Sequence, residues 1–136
     1  MQNQEIKQLI EAADDAINRE DFEALMEFYS DDAVLVVKPG LLVRGKEQIR
    51  KAFEAIAEYF NHSLAVEQGK MCILEAGDTA LVISNTVLNV GQRTDASYSM
   101  DRNATYVFKR EEDKHWRCII DNSYGVELLD VEDKEK

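Results

Sequence analysis

Few side chains in this 136-residue sequence are placed to do chemistry, and most of those are carboxylates and tyrosines set in apolar segments. Asp101 heads the run Asn103-Ala104-Thr105-Tyr106-Val107-Phe108. A carboxylate facing an apolar interior loses hydration and holds its proton to higher pH, which suits it to general acid–base work. The other reading of Asp101 is a strand-end aspartate paired with Arg102 or Arg93. Further on, Trp116, Cys118, Ile120, Asn122 and Tyr124 alternate with Arg117, Ile119, Asp121 and Ser123, so a strand there collects rings and an amide on one face. Asn122 reads equally as a pocket hydrogen-bonder or as a satisfied internal amide. Tyr29 shares the stripe of Phe22, Leu25 and Met26, and reads as a core tyrosine or as a hydroxyl aimed at a ligand.

Other chemistries find no support. His62 and His115 have no second histidine at metal-ligand spacing, and Cys72 and Cys118 form neither a CxxC pair nor a zinc knuckle. No GxGxxG, P-loop, GxSxG or HExxH run occurs, which argues against dinucleotides, nucleotide hydrolysis, serine hydrolases and zinc proteases. No metal and no cofactor is expected.

Charge narrows the partners. Sixteen Lys and Arg stand against 27 Asp and Glu, a formal net charge of −11, so nucleic acid and anionic membranes are repelled unless a basic patch forms. The densest basic stretch, Lys109 to Arg117, also carries Glu111, Glu112 and Asp113. The acids among residues 1–32 read as a solvated helical face rather than a docking surface. No apolar run approaches the roughly 20 residues that span a bilayer. The first residues lack the basic and apolar regions of a signal peptide, so a cytoplasmic protein with reduced thiols is expected.

The elements that must position these residues run helices first and strands afterwards, an α+β order. Ile6, Leu9, Ile10, Ala13 and Ile17 recur at helical spacing and predict an amphipathic helix over 4–19. Asp21 can cap a second, shorter helix, which Ser30-Asp31-Asp32 ends. A strand follows over 33–37, and Pro39-Gly40 suits a type II turn. Ile49, Ala52, Phe53, Ile56 and Phe60 mark a third helix. Residues 64–75, 79–90, 98–110 and 116–125 then read as a four-stranded antiparallel meander, joined at Ala76-Gly77-Asp78, Gly91 to Ala96 and Glu111 to His115. Residues 1–128 are expected to form a single domain and 129–136 a charged, frayed tail. In 79–90 both faces are apolar: Leu81, Ile83 and Val87 on one, Ala80, Val82, Leu88 and Val90 on the other. Three helices can cover one side, so the outer face of the sheet is expected to be buried in a homodimer.

This order resembles the SnoaL-like branch of the nuclear transport factor two superfamily, relatives of ketosteroid isomerase. The carriers are Glu20-Asp21-Phe22-Glu23-Ala24-Leu25, Tyr29-Ser30-Asp31-Asp32-Ala33-Val34, Val43-Arg44-Gly45-Lys46-Glu47-Gln48-Ile49, and Ala104-Thr105-Tyr106-Val107-Phe108-Lys109-Arg110 before Trp116-Arg117. It covers roughly residues 5–128, and small bacterial proteins of the YybH type are similar in pattern. The resemblance implies a cystatin-like cone, a curved antiparallel sheet wrapped around three N-terminal helices, with a pocket for a small apolar or aromatic molecule. It also implies that the isomerase's base falls on Val37 and its helical tyrosine on Ala13, neither of which moves or shares a proton. Ketosteroid isomerase activity is therefore not expected. The second acid falls on Asp101, and the Trp116 face turns inward because Tyr124 matches a ring-bearing pocket position. The expected pocket set is Tyr29, Val37, Asp101, Trp116, Asn122 and Tyr124, with Asp101 as the catalytic candidate. Three functions remain open: a small-molecule-binding protein, an isomerase, dehydratase or cyclase working through Asp101, and an oligomerisation or partner-binding module.

Overall fold

A computed structural model describes residues 3–90 and 99–130. The first helix, α1, is Gln4–Arg19, started by Asn3, whose side chain accepts from the Ile6 N–H, and ended by Glu20 in the left-handed conformation. It buries Ile6, Ile10, Ala13 and Ala16. Helix α2 is one turn, Phe22–Leu25, and Asp21 caps it as its sequence position requires. A 3-10 turn, Met26–Phe28, then leads into strand β1, Tyr29–Lys38. The chain therefore straightens four residues earlier than the apolar run at 33–37 indicates, and Tyr29 opens a strand rather than closing a helix. Gly40, at φ +89°, turns β1 back into the short strand β2, Leu41–Arg44. Helix α3 is Lys46–Tyr59 and buries Ile49, Phe53 and Ala57.

Strands β3 (Leu64–Ala76), β4 (Thr79–Val90), β5 (Ser99–Arg110) and β6 (Trp116–Asn122) form the expected meander. The six strands make one curved, unclosed sheet in the order β2-β1-β6-β5-β4-β3. β1 lies parallel to β6, while the other neighbours are antiparallel. Helices α1 and α3 cover the concave side, so the core lies between them and the inward rows of the sheet. Phe28 anchors it, meeting Tyr29, Tyr106 and Phe108 edge-on with centroids 5.0, 6.3 and 5.4 Å away. The connection expected at Gly91–Ala96, Arg93 within it, and most of the charged tail lie outside the described residues.

Two register shifts decide which side chains face inward. In β3, Gln68 pairs with Thr86 but Met71 pairs with Ser84, so one extra residue sits at Gly69–Lys70. Because the extra residue flips the alternation, Gln68 and Met71 both keep the inward face. In β6, Phe108 pairs with Cys118 and Val107 with Ile120, which leaves Ile119 as the extra residue. Beyond it the faces exchange.

Strand β3 is an edge of the sheet, and α1 closes part of it. The Asn18 side chain donates to the Val66 carbonyl at 3.1 Å and accepts from the Val66 N–H at 2.8 Å. This pair pins the last turns of α1 to β3 and so fixes what the same helix face presents one turn earlier, at Asp14. At the end of β6, Gly125 has φ +56°, and a Cβ there would lie 1.9 Å from the Asn103 carbonyl oxygen. Gly125→Ala is expected to destabilise the fold by about 2 kcal/mol or more, through the overlap and the left-handed strain. Urea titration followed by circular dichroism measures it.

Candidate functional site

The inward rows of the sheet are mostly apolar, and Gln68, Ser84, Thr86, Arg102 and Asp121 interrupt them. One row runs Ile73, Val82, Tyr106, Asp121, Leu35 across β3, β4, β5, β6 and β1. The extra residue at Ile119 turns Asp121 into this row, where it is 8% exposed, and turns Ile120 out to 41%. The Tyr29 hydroxyl donates to Asp121 Oδ2 at 2.6 Å, and among the described residues it is the one side chain that hydrogen-bonds this carboxyl group. Burial pushes the Asp121 pKa up to about 6, and the Tyr29 hydrogen bond restrains the rise. Tyr29, Tyr106 and Cys118 surround it, and burial first, then the Asp121 charge, raises all three well above their usual values.

A second carboxyl group approaches from the helix. Asp14 stands four residues after Ile10 and three before Ile17, on the face that α1 turns to the sheet. It is half-buried, and burial raises its pKa to about 7, aided by the charges of Asp121 and Glu11. The Gln68 amide lies close enough to pull that value back somewhat. Gln68 itself is clamped from β4: its Oε1 accepts a short hydrogen bond from the Ser84 hydroxyl and one of 3.2 Å from Thr86. Its Nε2 is buried and, among the described residues, has no oxygen in hydrogen-bonding geometry, Asp14 included. An unmet buried donor costs about 1–3 kcal/mol, so its presence calls for a reason. Ser84 and Thr86 are 1% and 3% exposed, so the clamp is part of the core.

The expected site residues divide. Tyr29 and Trp116 lie inside, at 1% and 3% exposure, and Val37 is half-buried against the core. Asp101 does not join them. It alternates with the buried Ala104, Tyr106 and Phe108, so it points outward, is exposed, and accepts a short hydrogen bond from the Asn85 amide. Asn122 is likewise on the outer side of the bulge: it donates to Thr105 Oγ1 and to the Gly125 carbonyl and accepts from the N–H groups of Tyr124 and Gly125, holding the turn that ends β6. Tyr124 packs under Arg102, whose guanidinium lies 3.8 Å from the ring centroid. Asp14, Gln68 and Asp121 were not among the expected residues. Asp14 and Gln68 left a signal, since each is a polar residue breaking an apolar stripe. Asp121 left none, because strict alternation assigns it the opposite face.

Two surface clefts lie elsewhere. One, of about 630 Å³, surrounds the β5–β6 turn, where Arg110 pairs with Asp78 and Arg117 with Glu111 and Asp113. The other, of about 370 Å³, lies beside Phe22, Glu54, Glu58 and His62. Neither is lined by the interior polar groups. No group of three or more His, Cys, Asp or Glu residues suited to a metal occurs among the described residues, and none of their helices is long and apolar enough to cross a membrane.

The SnoaL-like domain profile matches residues 6–120, and the chain belongs to that family. Solved structures share the fold. An NTF2-like protein of unknown function from Pseudomonas putida KT2440 is 24% identical over 87% of this chain and 82% of its own, with a TM-score of 0.75. A proposed dehydratase of the NTF2-like family from Streptomyces avermitilis is 20% identical over 88% and 92%, with a TM-score of 0.66. A proposed calcium/calmodulin-dependent protein kinase II association domain from Xanthomonas campestris is 17% identical over 88% and 84%, with a TM-score of 0.71. These likenesses establish the fold and do not single out the YybH type. No curated protein matches the sequence.

The raised carboxyl values carry a stability signature. An unfolded aspartate titrates near 3.8, below the folded values of about 6 for Asp121 and about 7 for Asp14. Between these limits the folded protein binds more protons than the unfolded chain, so the contribution is full below about pH 4 and is lost as pH rises through 6 and 7. Asp121→Asn and Asp14→Asn mimic the protonated forms. Their thermal midpoints are expected to gain several degrees on the wild type at pH 8 relative to the same comparison at pH 5, as differential scanning calorimetry would show.

Proposed function

We propose that the protein is an acid–base catalyst that takes a small, mostly apolar or aromatic molecule against the concave face of its sheet. The observation that carries this reading is the Asp121–Tyr29 pair. A carboxyl group set in an apolar wall, bonded by one side chain and titrating near neutrality, is the arrangement proton transfer needs and one that core packing does not require. Because Asp121 titrates below Asp14, in the range between their values of about 6 and about 7 the first is the more ionised and the second the more protonated, so a base and an acid face one interior. Asp121 takes a proton from an activated carbon, Tyr29 fixes its orientation, and Asp14 protonates an oxygen on the same molecule. Val37, Trp116, Phe108 and Tyr106 supply the apolar wall. The half-buried Asp14 and Gln68 mark the side open to solvent. The proposed dehydratase among the fold relatives is consistent with such a pair, because elimination of water needs both a base and an acid. Asp101, outside the cone, takes no part.

Deuterium uptake at the α-carbon of cyclohexanone, 1-tetralone and 2-tetralone, followed by NMR in D₂O, tests the reading. Uptake that depends on the protein is expected to fall by about a hundredfold in Asp121→Asn at unchanged circular dichroism. No protein-dependent uptake, together with no small molecule retained in native mass spectrometry, overturns it.

The outer face supports a homodimer. Leu74, Leu81, Val107, Ile120 and Val34 lie in register across five strands, and Leu74, Leu81 and Ile120 are 54%, 38% and 41% exposed. With Ile83, 42% exposed, in the adjacent row, this is an apolar strip that a second copy would cover. Light scattering at low micromolar concentration is expected to give twice the chain mass, and Ile83→Asp to give the chain mass. A wild-type monomer refutes the dimer.

A further inference from the structure

We infer that Gln68 is the specificity-determining residue of this interior: its Nε2 donates to an acceptor oxygen, of the carbonyl kind, on the molecule that lies between α1 and the sheet. The inference rests on the concave face being a ligand site, and it adds which atom of the protein selects the ligand.

Three features of Gln68 support it. The amide is oriented from outside the site. Ser84 and Thr86, neighbouring inward positions on β4, both donate to Oε1, so the carbonyl end faces β4 and the NH₂ end faces the helix side, towards Asp14. The donor end is then unsatisfied among the described residues, although Nε2 is fully buried. Finally, the fold departs from regular pairing to keep this residue inward. The extra residue at Gly69–Lys70 lets Gln68 share a face with Met71, and a Cβ at Gly69 would stand 2.7 Å from Asn85 Oδ1, so a residue without a side chain is accommodated there. A rigid donor held in a buried setting discriminates by leaving its own hydrogen bond unmade when the ligand has no acceptor. The site would therefore separate a ketone from the hydrocarbon of the same shape.

The pair 1-tetralone and tetralin differs by one carbonyl oxygen. Titration of the full-length protein is expected to show roughly tenfold tighter binding of the ketone, the worth of one net hydrogen bond. The preference is expected to vanish in Gln68→Met while tetralin binding stays within twofold of wild type. Gln68→Leu removes the donor at similar volume without adding a charge, so it decides the question if the Met variant does not fold. In the wild type the Gln68 side-chain amide protons are expected to move downfield with the ketone and not with tetralin. A ketone preference that survives in both variants overturns the role of Gln68 and leaves the interior site standing. Failure of both probes to bind the wild type overturns the interior site, and the inference with it.

Discussion

A carboxyl group inside an apolar sheet is tolerable only where something fixes its charge, and here that is a single phenol. The Tyr29 hydroxyl, itself 1% exposed, donates to Asp121 across 2.6 Å and ties the first strand of the sheet to the last in sequence. Those two strands are parallel neighbours, so the bond reinforces the one pairing in the sheet that no hairpin makes. Since one hydrogen bond cannot replace the hydration of a carboxylate, the group titrates near neutrality rather than in the ordinary aspartate range. The pairing of the two strands and the titration of the carboxyl group are thereby set by the same contact.

The remainder of the interior is arranged around that compromise. Phe28 packs its ring edge-on to Tyr106 and Phe108 beside Asp121, which lies in register with Tyr106, while Asp14 and Gln68 reach the edge of the core on the α1 side. The polar groups thus border the packed rings directly. The hydroxyls of Ser84 and Thr86 belong to both regions: they are core residues by exposure, and their bonds are spent on orienting Gln68.

Much of this was legible in the sequence, and the failures have a common physical origin. The spacing of Ile6, Ile10, Ala13 and Ile17 gives α1 its observed limits, and the alternation in 79–90 separates Ala80 and Val82 from Leu81 and Ile83, of which the structure buries the first pair and exposes the second. Alternation fails where a strand carries an extra residue. Nothing in Cys118-Ile119-Ile120 announces that Ile119 has no partner, yet that residue moves Asp121 into the interior and Asn122 out of it. Asp101 failed differently. Its pairing with β4 is unbroken, so parity with Ala104, Tyr106 and Phe108 already sets it outward, and it was the resemblance, not the alternation, that suggested the interior. The resemblance placed the family's helical acid at Ala13, while the carboxyl group that α1 turns toward the sheet is one residue further on, at Asp14.

The amide of Asn18 imitates a strand where it meets Val66, offering one donor and one acceptor to a backbone that has no neighbour on that side. An incoming chain that tried to continue the sheet past β3 would have to displace both bonds at once. Growth by strand addition, the ordinary route from an open sheet to a fibril, is therefore obstructed at this margin by a side chain that also holds the helix in place. The opposite margin, at Leu41–Arg44, has only four residues to offer a template.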